Sequence, residues 1–297
     1  MNAPFFIVGS ARSGTTLLRL MLNAHPEVAV PPESRFVVEL YRGDTVEVEG
    51  FLQALGSHKQ FRTWDLPLEA VRHEIDAGEH APYAEAVTAV YRAYMRLHGG
   101  RRWGDKTPRY VEHIPLLSRL FPDARFVHLV RDGRNVALSY ADVPFGPRTV
   151  GGAARLWARR VRAGIDDGRP LGERYLELRY EDMVEDAEEH AKRLCAFLEL
   201  AFDPEMLNYT ERARDAILDR ARRYNPNVMK GEIKRTRSWE EEMPPFHVEV
   251  FEAIAGDELS LLDYDRRYPA PSLRARVAGA AGRDRFGIAR LRGSRPL

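Results

Sequence analysis

The chain opens with an apolar run, Phe5 to Val8, that reads as a short strand. It leads through a glycine-bounded loop into Thr16 to Leu22, whose apolar residues gather on one helical face. Asn23-Ala24-His25-Pro26 ends that helix, because proline disfavours helical geometry in the residue before it. Val28-Ala29-Val30 then predicts a second short strand. Residues 36–80 read as helices and polar loops without a repeat, and Ala84 to Met95 as an amphipathic helix stopping at Gly99-Gly100. Trp103 to Pro108 reads as a loop ahead of a helix bearing Ile114, Leu116, Leu117 and Leu120. Phe126 to Val130 predicts another strand, running into Arg131 and a helix that carries Val136, Leu138 and Ser139. Tyr175 to Tyr180 alternates like a strand, and the acidic stretch Glu181 to Glu189 enters a helix around Leu194 with negative charge at its positive dipole end. Beyond Tyr209 come a charged helical segment, a basic loop from Lys230 to Arg237, Trp239, and a helix around Val250, Phe251 and Ile254. The repeated alternation of strand and helix predicts an α/β fold of three layers, α/β/α, with a central parallel sheet.

Composition narrows the class. With 297 residues, 44% hydrophobic and 30% charged, the chain can bury one large core, assigned to residues 1–268. From about Pro269 the sequence turns to Pro, Gly, Ala and Arg, including Arg274, Arg276, Arg283, Arg285, Arg290, Arg292 and Arg295, and residues 269–297 are expected to be a flexible basic tail. The 45 basic residues balance 44 acidic ones, so no global field draws nucleic acid and any anion site must be local. The single cysteine, Cys195, lies in an apolar-periodic stretch and is expected in the core; it excludes an intrachain disulfide and a Cys-based metal site. The nine histidines show no ligand spacing, so no metal is expected. Met1-Asn2-Ala3-Pro4 passes directly into the first strand, and no apolar run reaches membrane-spanning length. A cytoplasmic enzyme is expected, with at most peripheral membrane contact through the tail. A homo-oligomer is compatible with the sequence.

Chemistry enters with Gly9-Ser10-Ala11-Arg12-Ser13-Gly14-Thr15-Thr16, which has P-loop-like glycine spacing between a strand and a helix amino terminus. Backbone amides there can surround an anion, helped by the helix dipole. A nucleotide-triphosphatase P-loop has lysine after the second glycine; here that position is Thr15, which weakens a kinase or NTPase reading. The positive charge is instead Arg12. A second anion site is indicated by Arg131, which ends a strand, and Ser139, eight residues on. A guanidinium can fork onto a phosphate while the hydroxyl donates to the same group.

Together these segments resemble the sulfotransferases that use 3′-phosphoadenosine 5′-phosphosulfate (PAPS), in particular the branch containing tyrosylprotein sulfotransferases and related bacterial enzymes. The likeness spans roughly residues 5–265 and rests on Arg12-Ser13-Gly14-Thr15-Thr16-Leu17, Asn23-Ala24-His25-Pro26, Glu33, and Arg131 with Ser139. It implies that Arg12, Ser13, Gly14, Thr15 and Thr16 bind the phosphosulfate and that Arg131 and Ser139 bind the 3′-phosphate. It further implies that Tyr180, Arg237 and Trp239 lie near the nucleotide. By the same resemblance Glu33 is the general base, and Lys106 with Arg12 stabilises charge on the sulfuryl group and the leaving phosphate. Arg35 is a candidate acceptor contact, and a histidine is the rival base. PAP would be the product, and no metal would be required, since lysine and arginine suffice for a group less charged than phosphoryl. The secretory anchor of the Golgi members is not expected here and Cys195 is the single cysteine, so a peptide acceptor is not expected to carry over. Segments 36–80 and 143–170, with Phe61, Trp64, Tyr83, Phe145 and Trp157, leave a small-molecule, sugar, lipid or peptide hydroxyl open. A non-catalytic adenosine-phosphate binding module is the other alternative; it would keep Arg131 and Ser139 without needing Glu33 or Lys106.

Overall fold

The computed structural model describes residues 3–76, 78–210 and 237–282. Five parallel strands form the central sheet in the order β2-β5-β1-β6-β7, where β1 is Phe5–Gly9, β2 Val28–Ala29, β5 Arg102–Lys106, β6 Arg125–Val130 and β7 Tyr175–Arg179. Two further strands, β3 (Thr45–Glu47) and β4 (His80–Pro82), pair antiparallel as a small separate ribbon inside the segment expected to hold only helices and loops. Among the described residues no helix is long and apolar enough to cross a membrane.

Strand β1 is buried throughout and feeds both faces of the sheet. Phe6 and Val8 join a cluster with Phe36, Tyr91, Trp103 and Phe126, whereas Phe5 and Ile7 join Leu17, Leu20, Leu178 and Leu194 on the other side. This two-sided burial is why its sequence is a continuous apolar run rather than an alternation. Cys195 sits in the second cluster, its thiol 3.4 Å from the sulfur of Met206, as a core residue.

The segment 103–108, expected to be a loop, is corrected: Arg102–Lys106 is a fully buried strand between β2 and β1. Its sequence hides the strand for steric and polar reasons. Gly104 pairs with Phe5, and a Cβ there would lie 2.2 Å from the Phe5 ring, so the position admits no apolar side chain. Trp103 stacks on Tyr91 with ring centroids 4.1 Å apart, and the Tyr91 hydroxyl donates to Asp105. Polar residues thus occupy a strand interior because each has a partner.

The carboxy-terminal expectation also needs revision. Leu273–Ala281 is a helix, capped by the Ser272 hydroxyl accepting from Ala275 N. Ala275 is fully buried in a third cluster with Trp157 and Phe251, and Arg155 donates to the Gly279 carbonyl at 3.0 Å. The small residues Ala275 and Gly279, one turn apart, let the helix approach Val250 and Ile254 closely, so part of the supposed tail belongs to the domain. Arg283, Arg285, Arg290, Arg292 and Arg295 lie outside the described residues.

Candidate functional site

From β1 the chain runs to β2 on one side, then crosses from β5 to β6 on the other, so the strand order reverses around β1. In open parallel sheets the crevice at the carboxyl ends of such strands is where ligands bind. The loop and four of the residues singled out from the sequence meet that condition. The loop Gly9 to Thr16 follows β1, Glu33 follows β2, Lys106 ends β5, Arg131 follows β6 and Tyr180 follows β7.

The helix Thr15–Ala24 has Gly14 as its N-cap, with no side chain capping its amide groups. Its positive end is left for another acceptor. Gly14 adopts φ 93°, and a Cβ there would stand 2.4 Å from the Tyr180 ring. Tyr180 therefore braces the loop, and the Arg131 guanidinium lies over its ring, 4.5 Å from the centroid. Arg131 also donates to the Arg12 carbonyl at 3.2 Å, while the indole of Trp157 donates to the Arg131 carbonyl at 3.0 Å. The fully buried Ser13 hydroxyl has no protein partner among the described residues, which fits a cradle completed by an anion.

Arg12, itself at φ 74°, sends its side chain toward the second anion site, donating from Nε to the Ser139 hydroxyl at 3.0 Å. Burial, followed by the charges of Arg131 and Arg237, holds its guanidinium below the usual value despite the opposing Tyr140 and Asp142. Like charges crowded in this way favour an anion between them. Arg12 thus sits with the residues expected at the 3′-phosphate, whereas the cations around Glu33 are Lys106, Arg35 and Arg19.

Glu33 reaches its place through a clipped edge. Asn23 brackets Val30, accepting from Val30 N at 2.7 Å and donating to its carbonyl at 2.8 Å, and the buried Arg19 donates to the same carbonyl at 2.9 Å. Pro31 and Pro32 then stiffen the approach. The Glu33 carboxylate accepts from Lys106 Nζ at 2.9 Å and lies 3.7 Å from Arg35. Burial alone would raise its carboxyl, but Lys106, Arg35 and Arg19 outweigh burial and leave it below the ordinary carboxylate range. It is ionised at neutral pH. The histidine alternatives fare differently. His128 is buried, bonded to the Tyr175 hydroxyl at 2.6 Å, and pushed down to about 3 by burial and Arg169. His25 ends its helix by accepting from Glu27 N and meeting the Ala201 carbonyl at 2.8 Å.

A cavity of about 710 Å³ opens at the carboxyl ends of β6 and β7, lined by Arg131, Tyr180, Arg237 and Trp239 but not by Glu33 or Lys106. Arg237 is held by ion pairs to Asp142 and Glu242. The guanidinium groups of Arg134 and Arg267 both lie over the Trp239 ring, 3.6 and 4.8 Å from its centroid. Lys230, Lys234 and Arg235 of the expected basic loop lie outside the described residues. The aromatic residues considered for acceptor binding divide: Phe61, Trp64, Tyr83 and Trp157 are core, and only Phe145 is exposed.

Sequence reasoning missed Arg19, although a single charge amid Leu17, Leu18, Leu20 and Met21 on an apolar helix was a readable signal. It also missed the Arg134 ion pairs to Asp132 and Glu252, all buried, which fix the start of the helix after β6.

A profile of the sulfotransferase family matches residues 4–204, and a sulfotransferase domain profile matches residues 156–262. The chain belongs to the sulfotransferase family. Protein-tyrosine sulfotransferase A of Caenorhabditis elegans is 26% identical over 239 residues, 77% of this chain and 59% of that protein. Protein-tyrosine sulfotransferase 1 of Danio rerio is 24% identical over 278 residues, 90% of this chain and 74% of that protein. The chain therefore spans only about three-fifths of the nematode relative's length. Among solved structures, the sulfotransferase domain from the Synechococcus PCC 7002 olefin synthase superposes with a TM-score of 0.62 at 25% identity, covering 89% of this chain and 96% of that domain. These sulfotransferase relatives agree with the resemblance to the tyrosylprotein and bacterial branch.

Proposed function

We propose that this chain transfers a sulfuryl group from PAPS to an acceptor hydroxyl, with Glu33 as general base. The observation that carries the reading is the Glu33–Lys106 pair at the carboxyl end of the sheet, beside an uncapped helix terminus and a separate Arg12–Arg131–Ser139 cluster. Two anion sites and a base make a donor with two phosphate positions a better fit than a nucleoside triphosphate. The uncapped amides of the loop would hold the phosphosulfate, Arg131, Ser139 and Arg12 the 3′-phosphate, and the cavity beside Tyr180 the nucleoside.

In the reaction the acceptor oxygen attacks sulfur in line with the bridging oxygen of the donor. Glu33 takes the acceptor proton as the new S–O bond forms, the old S–O bond breaks, and its electron pair stays on the phosphate of PAP. Lys106 turns from Glu33 to the bridging oxygen and neutralises the charge that grows there. The charges supplied by lysine and arginine make a metal unnecessary in this scheme. The acceptor remains a hydroxyl compound of small-molecule, sugar, lipid or peptide type, and a cytoplasmic location belongs to the same proposal.

Thermal shift tests the donor: PAP should raise Tm without magnesium and ATP much less. Glu33→Gln should abolish transfer from labelled PAPS with PAP affinity nearly intact. Arg131→Ala should weaken PAP about 10- to 100-fold, the worth of a hydrogen bond to a charged group. Stabilisation by magnesium-ATP but not by PAP would replace this reading with a nucleotide triphosphatase. Undiminished turnover by Glu33→Gln would remove the base from Glu33.

A further inference from the structure

The two reacting side chains belong to segments 73 residues apart, and each has a buried hydroxyl neighbour in the chain: Ser34 follows Glu33 and Thr107 follows Lys106. Both neighbours have no exposed surface. They are joined to each other. Ser34 N donates to the Thr107 hydroxyl at 3.1 Å, the two hydroxyls lie 3.4 Å apart, and the Ser34 hydroxyl meets the Tyr110 hydroxyl at 2.9 Å.

A second feature depends on this join. Arg35 stands at φ 53°, ψ −31°, and Phe36 N donates to the Ser34 carbonyl at 2.6 Å, closing a tight three-residue turn directly after Glu33. A non-glycine residue in that region is strained and persists only where its surroundings over-determine it. Here the restraints are Phe36, buried among Trp64 and Tyr91 on one side, and the Ser34–Thr107 contact on the other. Asp105, one residue before Lys106, is fixed by the Tyr91 hydroxyl, so the Lys106 side of the join is rigid.

We infer that Ser34 and Thr107 are positioning residues, whose buried hydrogen bonds hold a strained turn and thereby set the separation of Glu33 and Lys106. They touch neither donor nor acceptor; they act through the two side chains that do. This inference rests on the sulfuryl-transfer reading for its kinetic consequence, while its structural content is independent of turnover.

The test compares Thr107→Val, which keeps the branched shape and removes the hydroxyl, with Thr107→Ser, which keeps the hydroxyl. Thr107→Val should lower kcat at least about tenfold, as expected for a misplaced reacting group. PAP affinity should change less than about twofold, since the anion clusters are untouched. Thr107→Ser should retain most of the parent's kcat. The Glu33 carboxyl, followed by carbon NMR titration and assigned by its loss in Glu33→Gln, should titrate at higher pH in Thr107→Val and unchanged in Thr107→Ser. If Thr107→Val does not fold, Ser34→Ala carries the same comparison, losing the hydroxyl contacts but keeping the N–H donor, with a smaller fall in kcat.

Equal kcat in Thr107→Val and the parent, equal losses in both Thr107 variants, or an unmoved Glu33 titration each overturns the positioning role. A parent chain with no PAPS-dependent transfer overturns the sulfuryl-transfer reading instead, and the titration then still decides whether the join sets the pair.

Discussion

Replacing Gly14 by alanine attacks the anion loop at its most confined backbone atom. The new Cβ would lie 2.4 Å from Tyr180 Cδ2 and 2.7 Å from Cε2, at a backbone φ of 93°. A left-handed conformation costs a residue with a Cβ about 1–2 kcal/mol. Overpacking against a buried ring adds about 1–3 kcal/mol, so the whole loss is about 2–5 kcal/mol. At roughly 2 °C per kcal/mol, the low end for long chains, Tm should fall by about 4–10 °C. Calorimetry on four proteins separates the two contributions: parent, Gly14→Ala, Tyr180→Ala, and the double variant. With the ring gone, Gly14→Ala should cost only the backbone part, leaving a coupling of about 1–3 kcal/mol between the sites. The single variant should also bind PAP more weakly, because the displaced ring lies under Arg131. A Tm equal to the parent's, or the same cost in both backgrounds, would refute the argument that Tyr180 braces this loop.

Two further perturbations follow from the site's electrostatics. Glu33 is held below the usual carboxylate range against the pull of burial, so it stays charged as pH falls toward that lowered value. The acid limb of kcat/KM should therefore lie below the ordinary carboxylate range in the parent. Lys106→Gln removes the strongest lowering influence, so residual activity should be lost at higher pH; an unmoved limb would show that the pair does not set the base. Glu252→Ala removes one of the two carboxylates that pair with buried Arg134, leaving Asp132 in place, and takes the acceptor from Arg267 N and Tyr268 N; it should cost about 1–3 kcal/mol in urea unfolding, against less than about 1 for an exposed pair.

The legible parts of the fold were those where chemistry and pattern coincide. β1 and β6 are apolar runs buried on both sides, and the loop after β1 carries its glycines where the backbone turns left-handed. β5 was illegible because steric and polar partners occupy the place of an apolar pattern: Gly104 yields to Phe5, Asp105 to Tyr91, and Lys106 to Glu33. Glu33, Lys106, Arg131 and Ser139 could be named from segment likeness; the sheet brings the first three to its carboxyl edge, and Ser139 lies on the helix that follows β6. Arg12 could be named, yet its reach to Ser139 could not, since a long side chain has many directions from one backbone position. Aromatic residues gave the least: Trp64 and Tyr83 look alike in sequence whether they line a pocket or fill a core, and here they fill it. Ser34 and Thr107 carried no periodic or compositional mark, because their significance lies wholly in meeting each other.

The order of the strands also bears on how the protein is born. β1 pairs on one edge with residues 104–106 and on the other with residues 125–129, so both partners leave the ribosome about a hundred residues after it. β2, the next strand made, does not neighbour β1 at all, because β5 comes between them. Until then Phe5 to Val8 is a bare apolar strand with two open edges, the kind of segment that seeks a wrong partner. A nascent chain stalled before residue 106 should therefore be held by chaperones; β5 closes one edge and first brings Lys106 to Glu33, and release should wait until β6 closes the other.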